Sequence, residues 1–175
     1  MHKVLRISTL AATVAGLALT ATPAFAVAPT NNKNATATAR IVKPLTLAWA
    51  RDLDLGTIVL SGTGTWTGAT VGIDKAGAFS CVNTNVTCSN AHQTAQYTIT
   101  GTNNQVVKIT AGDVTLTNQN DGTSQLTLTV DKPATVNLGT SGSTGYTLDL
   151  GGAITVASNT PDGTYSGTFD VTVDY

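Results

Sequence analysis

Few side chains in this sequence have the chemistry of a catalyst or of a ligand site. Two cysteines, Cys81 and Cys88, have six residues between them. His92 lies in the polar run Ser89-Asn90-Ala91-His92-Gln93, and the other histidine is His2. Two carboxylates, Asp52 and Asp54, alternate with Leu53 and would share one face of a strand. Two thiols alone are too few ligands for a structural zinc site. In an oxidising compartment their default state is a disulfide, closed over a short polar loop that suits a hairpin tip. On the chain-entropy view so small a loop contributes about 2.5 kcal/mol.

The remaining candidates give no reaction. A lone loop histidine reads as a solvated surface residue, because acid–base work needs a positioned group in a desolvated pocket. The sequence has no G-x-S-x-G motif and no Ser/His/Asp set with supporting motifs. Asp52 and Asp54 read as turn and strand-start polarity before Leu55-Gly56, since calcium needs six or more oxygens. The glycines at 61–72 and at Gly151-Gly152 have no following Lys and helix, so they are not phosphate loops. Several of Trp49, Trp66 and the tyrosines fall on the inward parity of their segments, and the group reads as core rather than as a sugar-stacking platform. No enzyme activity and no cofactor or metal follow from these residues.

The elements around them are strands. Thr and Gly abound, every acidic residue is Asp, and Glu is absent. Thr, Val, Ile and Tyr favour strands, and Gly, Asn and Asp favour tight turns. Short alternating runs recur between turn signals, the pattern of a sandwich or barrel. Apolar parity runs through Ala35, Ala37, Ala39, Ile41, Leu45, Leu47 and Trp49, with Pro44 marking an edge or a break. Asp121-Gly122 predicts a hairpin. Gly151-Gly152 predicts a turn between Leu150 and Ile154. The last strand predicted spans Tyr165, Phe169, Val171, Val173 and Tyr175.

Both ends of the chain bear on where it works. Lys3 and Arg6 precede an apolar run that closes on Ala24-Phe25-Ala26, the layout of a cleaved secretory signal over residues 1–26. That run is shorter than the roughly 20 apolar residues of a membrane-spanning helix, and no later segment is long and apolar enough to span. Residues 27–40 read as a polar extension and 41–175 as one β-sandwich domain. Of nine Lys and Arg, seven lie after the signal, against ten Asp, a formal charge of −3. Nucleic-acid binding has no electrostatic footprint there.

Gly163 stands twelve residues before Tyr175, with Phe169, Val171 and Val173 alternating between them. This end resembles the C-terminal strand of chaperone–usher pilus subunits, although those commonly place the Tyr next to last. The stretch from Asp162 to Tyr175 is also similar to the end of spore coat protein U-like secreted domains. Taken with Ala39 to Leu45, Leu53 to Ile58 and Leu150 to Val156, it resembles a family of small exported bacterial domains of unknown function. That family is itself similar to the major subunit of Mat (common pilus) fimbriae.

The resemblance implies an immunoglobulin-like, pilin-like sandwich lacking one strand. It implies a fibre subunit that exchanges strands head to tail with copies of itself, served by a periplasmic chaperone and an outer-membrane usher. The expected location is the periplasm in transit, then the cell surface. Ala35, Ala37, Ala39 and Ile41 would form the donor strand, and Gly163, Tyr165, Phe169, Val171, Val173 and Tyr175 the acceptor side. Residues 35–49 serving as the domain's own first strand is the opposing reading. The competing function is a monomeric secreted or surface-attached, adhesin-like binding module.

Overall fold

Alternation of β-branched and polar residues sets thirteen strands among the described residues, and the turns between them carry Gly, Asn and Asp. The computed structural model describes residues 34–140 and 144–175; the expected signal and the start of the extension lie outside them. The first strands are β1 (Thr46–Arg51), β2 (Ile58–Leu60), β3 (Ala69–Ile73), β4 (Phe79–Ser80) and β5 (Val86–Cys88). Next come β6 (Ala95–Thr100), β7 (Val106–Ala111), β8 (Val114–Asn118) and β9 (Gln125–Asp131). The series closes with β10 (Thr135–Asn137), β11 (Tyr146–Val156), β12 (Tyr165–Ser166) and β13 (Val171–Asp174). Every pairing is antiparallel, and the described residues hold no helix.

The large sheet runs β1-β6-β11-β9-β8-β12, with β3 also on β11 and β4 outside β3. A three-stranded sheet, β10-β7-β13, and a two-stranded one, β2-β5, complete a sandwich-like all-β arrangement. Residues 40–175 form one compact unit. Residues 34–39, in the other unit, are exposed and carry no strand.

One strand organises both halves. The first part of β11, Tyr146 to Leu150, pairs with β6; the second, from Gly151, pairs with β9 and β3. Leu148 and Leu150 fill one cluster with Ile99, Val107, Ile109 and Leu138, between the large and three-stranded sheets. Ile154 and Val156 fill another with Ala69, Val71, Val86 and Leu128, beneath β2-β5. Leu53 and Phe169 touch both clusters.

Four sequence expectations change. Gly151-Gly152 is not a turn: β11 runs straight through it. A Cβ on Gly151 would fall 2.2 Å from the Ile73 carbonyl oxygen, and one on Gly152 would fall 2.9 Å from Leu128 Cδ1. The pair is glycine so that β3 and Leu128 can approach. The last strand is broken at 167–170, where the chain passes from the β8 edge to the β7 edge, and a Cβ on Gly167 would fall 2.5 Å from the Thr115 carbonyl oxygen. The N-terminal alternation forms a strand only from Thr46. Trp49 shares the parity of Leu47 but is 63% exposed, where the edge register slips between Trp49 and Arg51.

The β8–β9 hairpin forms where Asp121-Gly122 predicted it. Gly122 takes the left-handed φ of +70°. The Asp121 carboxylate accepts from the Ser124 hydroxyl and from the backbone N–H groups of Thr123 and Ser124. These bonds, the Ser124 hydroxyl first, hold its carboxyl down at about 2.

Two outcomes follow. Gly151→Ala should cost about 1–3 kcal/mol in chemical denaturation, because the added methyl meets backbone that cannot yield. Gly62→Ala, with nothing within 4 Å, should be near neutral. The carboxylate of Asp121 titrates below its ordinary 3.8, so its stabilisation is complete above that value and lost as pH falls toward 2. The stability gap between wild type and Asp121→Ala, measured by denaturant titration across that range, should narrow as pH falls.

Candidate functional site

The residues with potential chemistry are held in structural roles. Cys81 and Cys88 are joined as a disulfide. The bridge does not close a hairpin tip: β4 pairs with β3 and β5 with β2, so it links an edge of the large sheet to the two-stranded sheet. His92 is half-buried rather than solvated. Its ring stacks on Phe79 at 4.1 Å between centroids, 7° from parallel. Asp52 accepts from the Trp49 indole N–H at 3.0 Å, and Asp54 from the Gly56 amide at 2.8 Å. The main chain of Asp54 also exchanges two hydrogen bonds with Gln93. Among the described residues no group of three or more His, Cys, Asp or Glu is placed to hold a metal.

Two polar clusters were not singled out from sequence. Asp149 Oδ1 accepts from Arg51, Thr94 and Gln96 at 3.0–3.1 Å, which ties β1, β6 and β11 together on the sheet surface. Lys75 pairs with Asp131 at 3.1 Å. The backbone N–H of Lys75 is the chief cause that holds the Asp131 carboxyl below its ordinary range. Partners this distant in sequence give no local signal.

A groove with an apolar floor lies on the second cluster. Two adjoining cavities, of about 360 and 550 Å³, share Leu116 and Tyr165 in their linings. One wall is the chain from Asp52 through β2; the other is 160–169, including β12. The linings also include Leu126, Leu128, Ile154 and Val156. Each wall carries an open strand edge: β2 pairs only with β5, and β12 only with β8, among the described residues. Leu55, Ile58, Leu60, Leu116 and Leu126 are only half-buried, whereas Ile99, Val107, Leu138 and Leu150 of the other cluster are at 0% exposure. The sandwich is left uncovered along this line. Tyr97 sits at one end of the groove. Burial, then the Asp52 and Asp170 carboxylates, push its hydroxyl above the usual range, so it stays protonated.

The C-terminal residues divide between two places. Gly163, Tyr165 and Phe169 line the groove. Val171 and Val173 sit on β13, paired to β7 and packed on the first cluster. The Tyr175 hydroxyl donates to the Lys43 carbonyl at 2.6 Å and accepts from the Thr102 amide at 2.9 Å. Ala35, Ala37, Ala39 and Ile41 are exposed outside any strand, Ile41 at 92%.

Residues 45–175 match the protein-family model described as Domain of unknown function (DUF4402). No curated protein and no solved structure matches the chain.

The disulfide fastens the sheet that carries one groove wall. Replacing both Cys81 and Cys88 by Ser should cost about 2–3 kcal/mol in equilibrium unfolding. In limited proteolysis of the folded variant, the first cuts should fall within 57–88 rather than near the β6–β11 ladder.

Proposed function

The chain belongs to the DUF4402 family, and from that premise we propose that it is a structural subunit of a bacterial surface fibre, assembled by strand exchange. An extended segment of one subunit would lie in the groove of the next. Its backbone would pair with the open edges of β2 and β12, and its alternate side chains would enter the two cavities. The observation that carries this reading is the half-buried apolar floor lying between two open strand edges. Of the C-terminal pattern that resembles chaperone–usher subunits, Gly163 and Phe169 line the same groove, whereas Val171 and Val173 pack on the first cluster.

The donor under this reading is residues 27–41, the extension together with Ile41, with Ala35, Ala37, Ala39 and Ile41 on one parity. Ile41 is its one large plug, and burying such a side chain contributes about 1.5–3 kcal/mol. The contact is head-to-tail and does not close on itself, so it propagates a fibre. An uncovered groove is also an aggregation hazard, which is the physical need for a periplasmic chaperone before an outer-membrane usher delivers the subunit. The implied fold is an immunoglobulin-like sandwich one strand short, exported and ending at the cell surface. No catalysis is part of this function.

A second reading draws on Trp49. An indole 63% exposed and held by Asp52 suits a monomeric, surface-attached binding module.

Electron microscopy of material sheared from expressing cells, with heated and unheated gel lanes, separates the two. Fibres, and a ladder that collapses to monomer only on boiling, are expected. Deleting residues 27–41, the donor arm with its Ile41 plug, should leave a folded subunit that does not polymerise; assembly by that variant would exclude this arm as donor. A single monomer band without fibres, from well-exported protein, would overturn the fibre reading in favour of the Trp49 surface.

A further inference from the structure

The chain contains two Asp-Gly pairs, 121–122 and 162–163, and the structure treats them in opposite ways. Asp-Gly is the pair whose unhindered glycine amide best attacks the preceding side-chain carboxyl. At the first pair both reacting groups are engaged. The Asp121 carboxylate holds three hydrogen bonds, and the Gly122 amide donates to the Asn118 carbonyl at 2.9 Å. Its carboxyl, held down at about 2, is also rarely in the protonated form that loses water easily.

At the second pair neither group is engaged. Asp162 is exposed, and neither its carboxylate nor the Gly163 amide has a hydrogen-bond partner among the described residues. Gly163 has φ +143°, and a Cβ there would fall 2.2 Å from Asn118 Oδ1, so the position requires glycine.

We propose that Asp162 is a site of spontaneous isoaspartate formation, at the rim of the groove. The Gly163 nitrogen bonds to Asp162 Cγ, its proton passes to solvent, and a carboxyl oxygen leaves as water. The resulting succinimide takes up water. Cleavage between the nitrogen and the Asp162 main-chain carbonyl carbon leaves the backbone running through Cγ, one methylene longer. Cleavage at Cγ restores aspartate. Water is lost and regained, so no oxidant or co-reactant is needed.

The consequence falls on a fixed point of the fold. Asn118, at 0% exposure, donates its side-chain amide to the Asp162 carbonyl at 2.9 Å. A longer backbone at Asp162 displaces that acceptor beside β12, where Asp162 and Gly163 line the larger cavity. The modification therefore reshapes one wall of the groove whatever the groove binds.

The test is to age the folded, disulfide-intact exported chain at neutral pH and body temperature, then map isoaspartate by peptide mass spectrometry and isoaspartyl methyltransferase labelling. Isoaspartate at 162 should exceed that at 121 by roughly tenfold, the effect of the hydrogen bonds that must first break at 121. In denaturant the two sites should react alike, and Asp162→Glu should abolish the label at 162 alone. Equal or greater conversion at 121 in the folded chain would overturn the proposal. So would an unmodified 162 in folded protein whose denatured form reacts at both sites.

Discussion

The fold depends on one strand being allowed to serve two cores. β11 contributes Leu148 and Leu150 to one cluster and Ile154 and Val156 to the other. The crossing point is Gly151-Gly152, where β3 and Leu128 come closer than any side chain would permit. Side chains at these two positions would push β3 away from β11. They would also separate the layer bearing the groove from the layer closed by β10-β7-β13. The absence of two Cβ atoms is what makes this a single structure rather than two small sandwiches joined end to end.

The two halves differ in how fully they are covered. The first cluster has a complete partner sheet, and its largest members are fully buried. The second is roofed by only the two strands β2 and β5, and the chain beyond them leaves a line of half-buried leucines and isoleucines. Half-exposed apolar area of this kind, contiguous and flanked by strand edges, favours occupation: each large side chain covered is worth on the order of 1 kcal/mol or more. An occupant that also pairs its backbone satisfies the open edges. A compact ligand would fill a cavity but leave the edges to water.

Much of the fold was legible because alternation and turn chemistry are local. The strands around Leu126 to Val130 and the Asp121-Gly122 hairpin needed only short windows of sequence. The Cys81–Cys88 bridge was expected from the pairing of two cysteines seven positions apart. What escaped was decided by tertiary approach. Gly151-Gly152 reads as a turn because glycine usually marks one, and its use here is visible only once β3 lies against it. Trp49 obeys the strand parity, but an edge register slip exposes it. His92 lies in a loop as expected, but its ring is half-buried because Phe79, thirteen positions earlier, supplies a stacking partner that the loop itself does not announce. The groove was foreseeable only in part: Gly163, Tyr165 and Phe169 were singled out, but the facing wall comes from the opposite end of the domain.

The groove's walls are not fixed by each other. Among the described residues no strand pairing crosses it, so its width depends on how each wall is anchored behind. The β2 wall hangs from β5, fastened to the large sheet through Cys88 and Cys81, and from the paired main chains of Asp54 and Gln93. The opposite wall hangs from β8 by the short β12 pairing and by Asn118, whose side chain holds the Asp162 carbonyl and the Asn120 amide. Phe169 then pins the lower end of that wall by contact with both clusters. A covalent anchor on one side and a buried amide on the other are strong local restraints, yet neither spans the gap. The groove can thus keep its apolar floor without closing over it, provided both anchors hold. Loss of either would let a wall collapse onto the floor and bury the leucines internally, removing the surface an incoming strand would use.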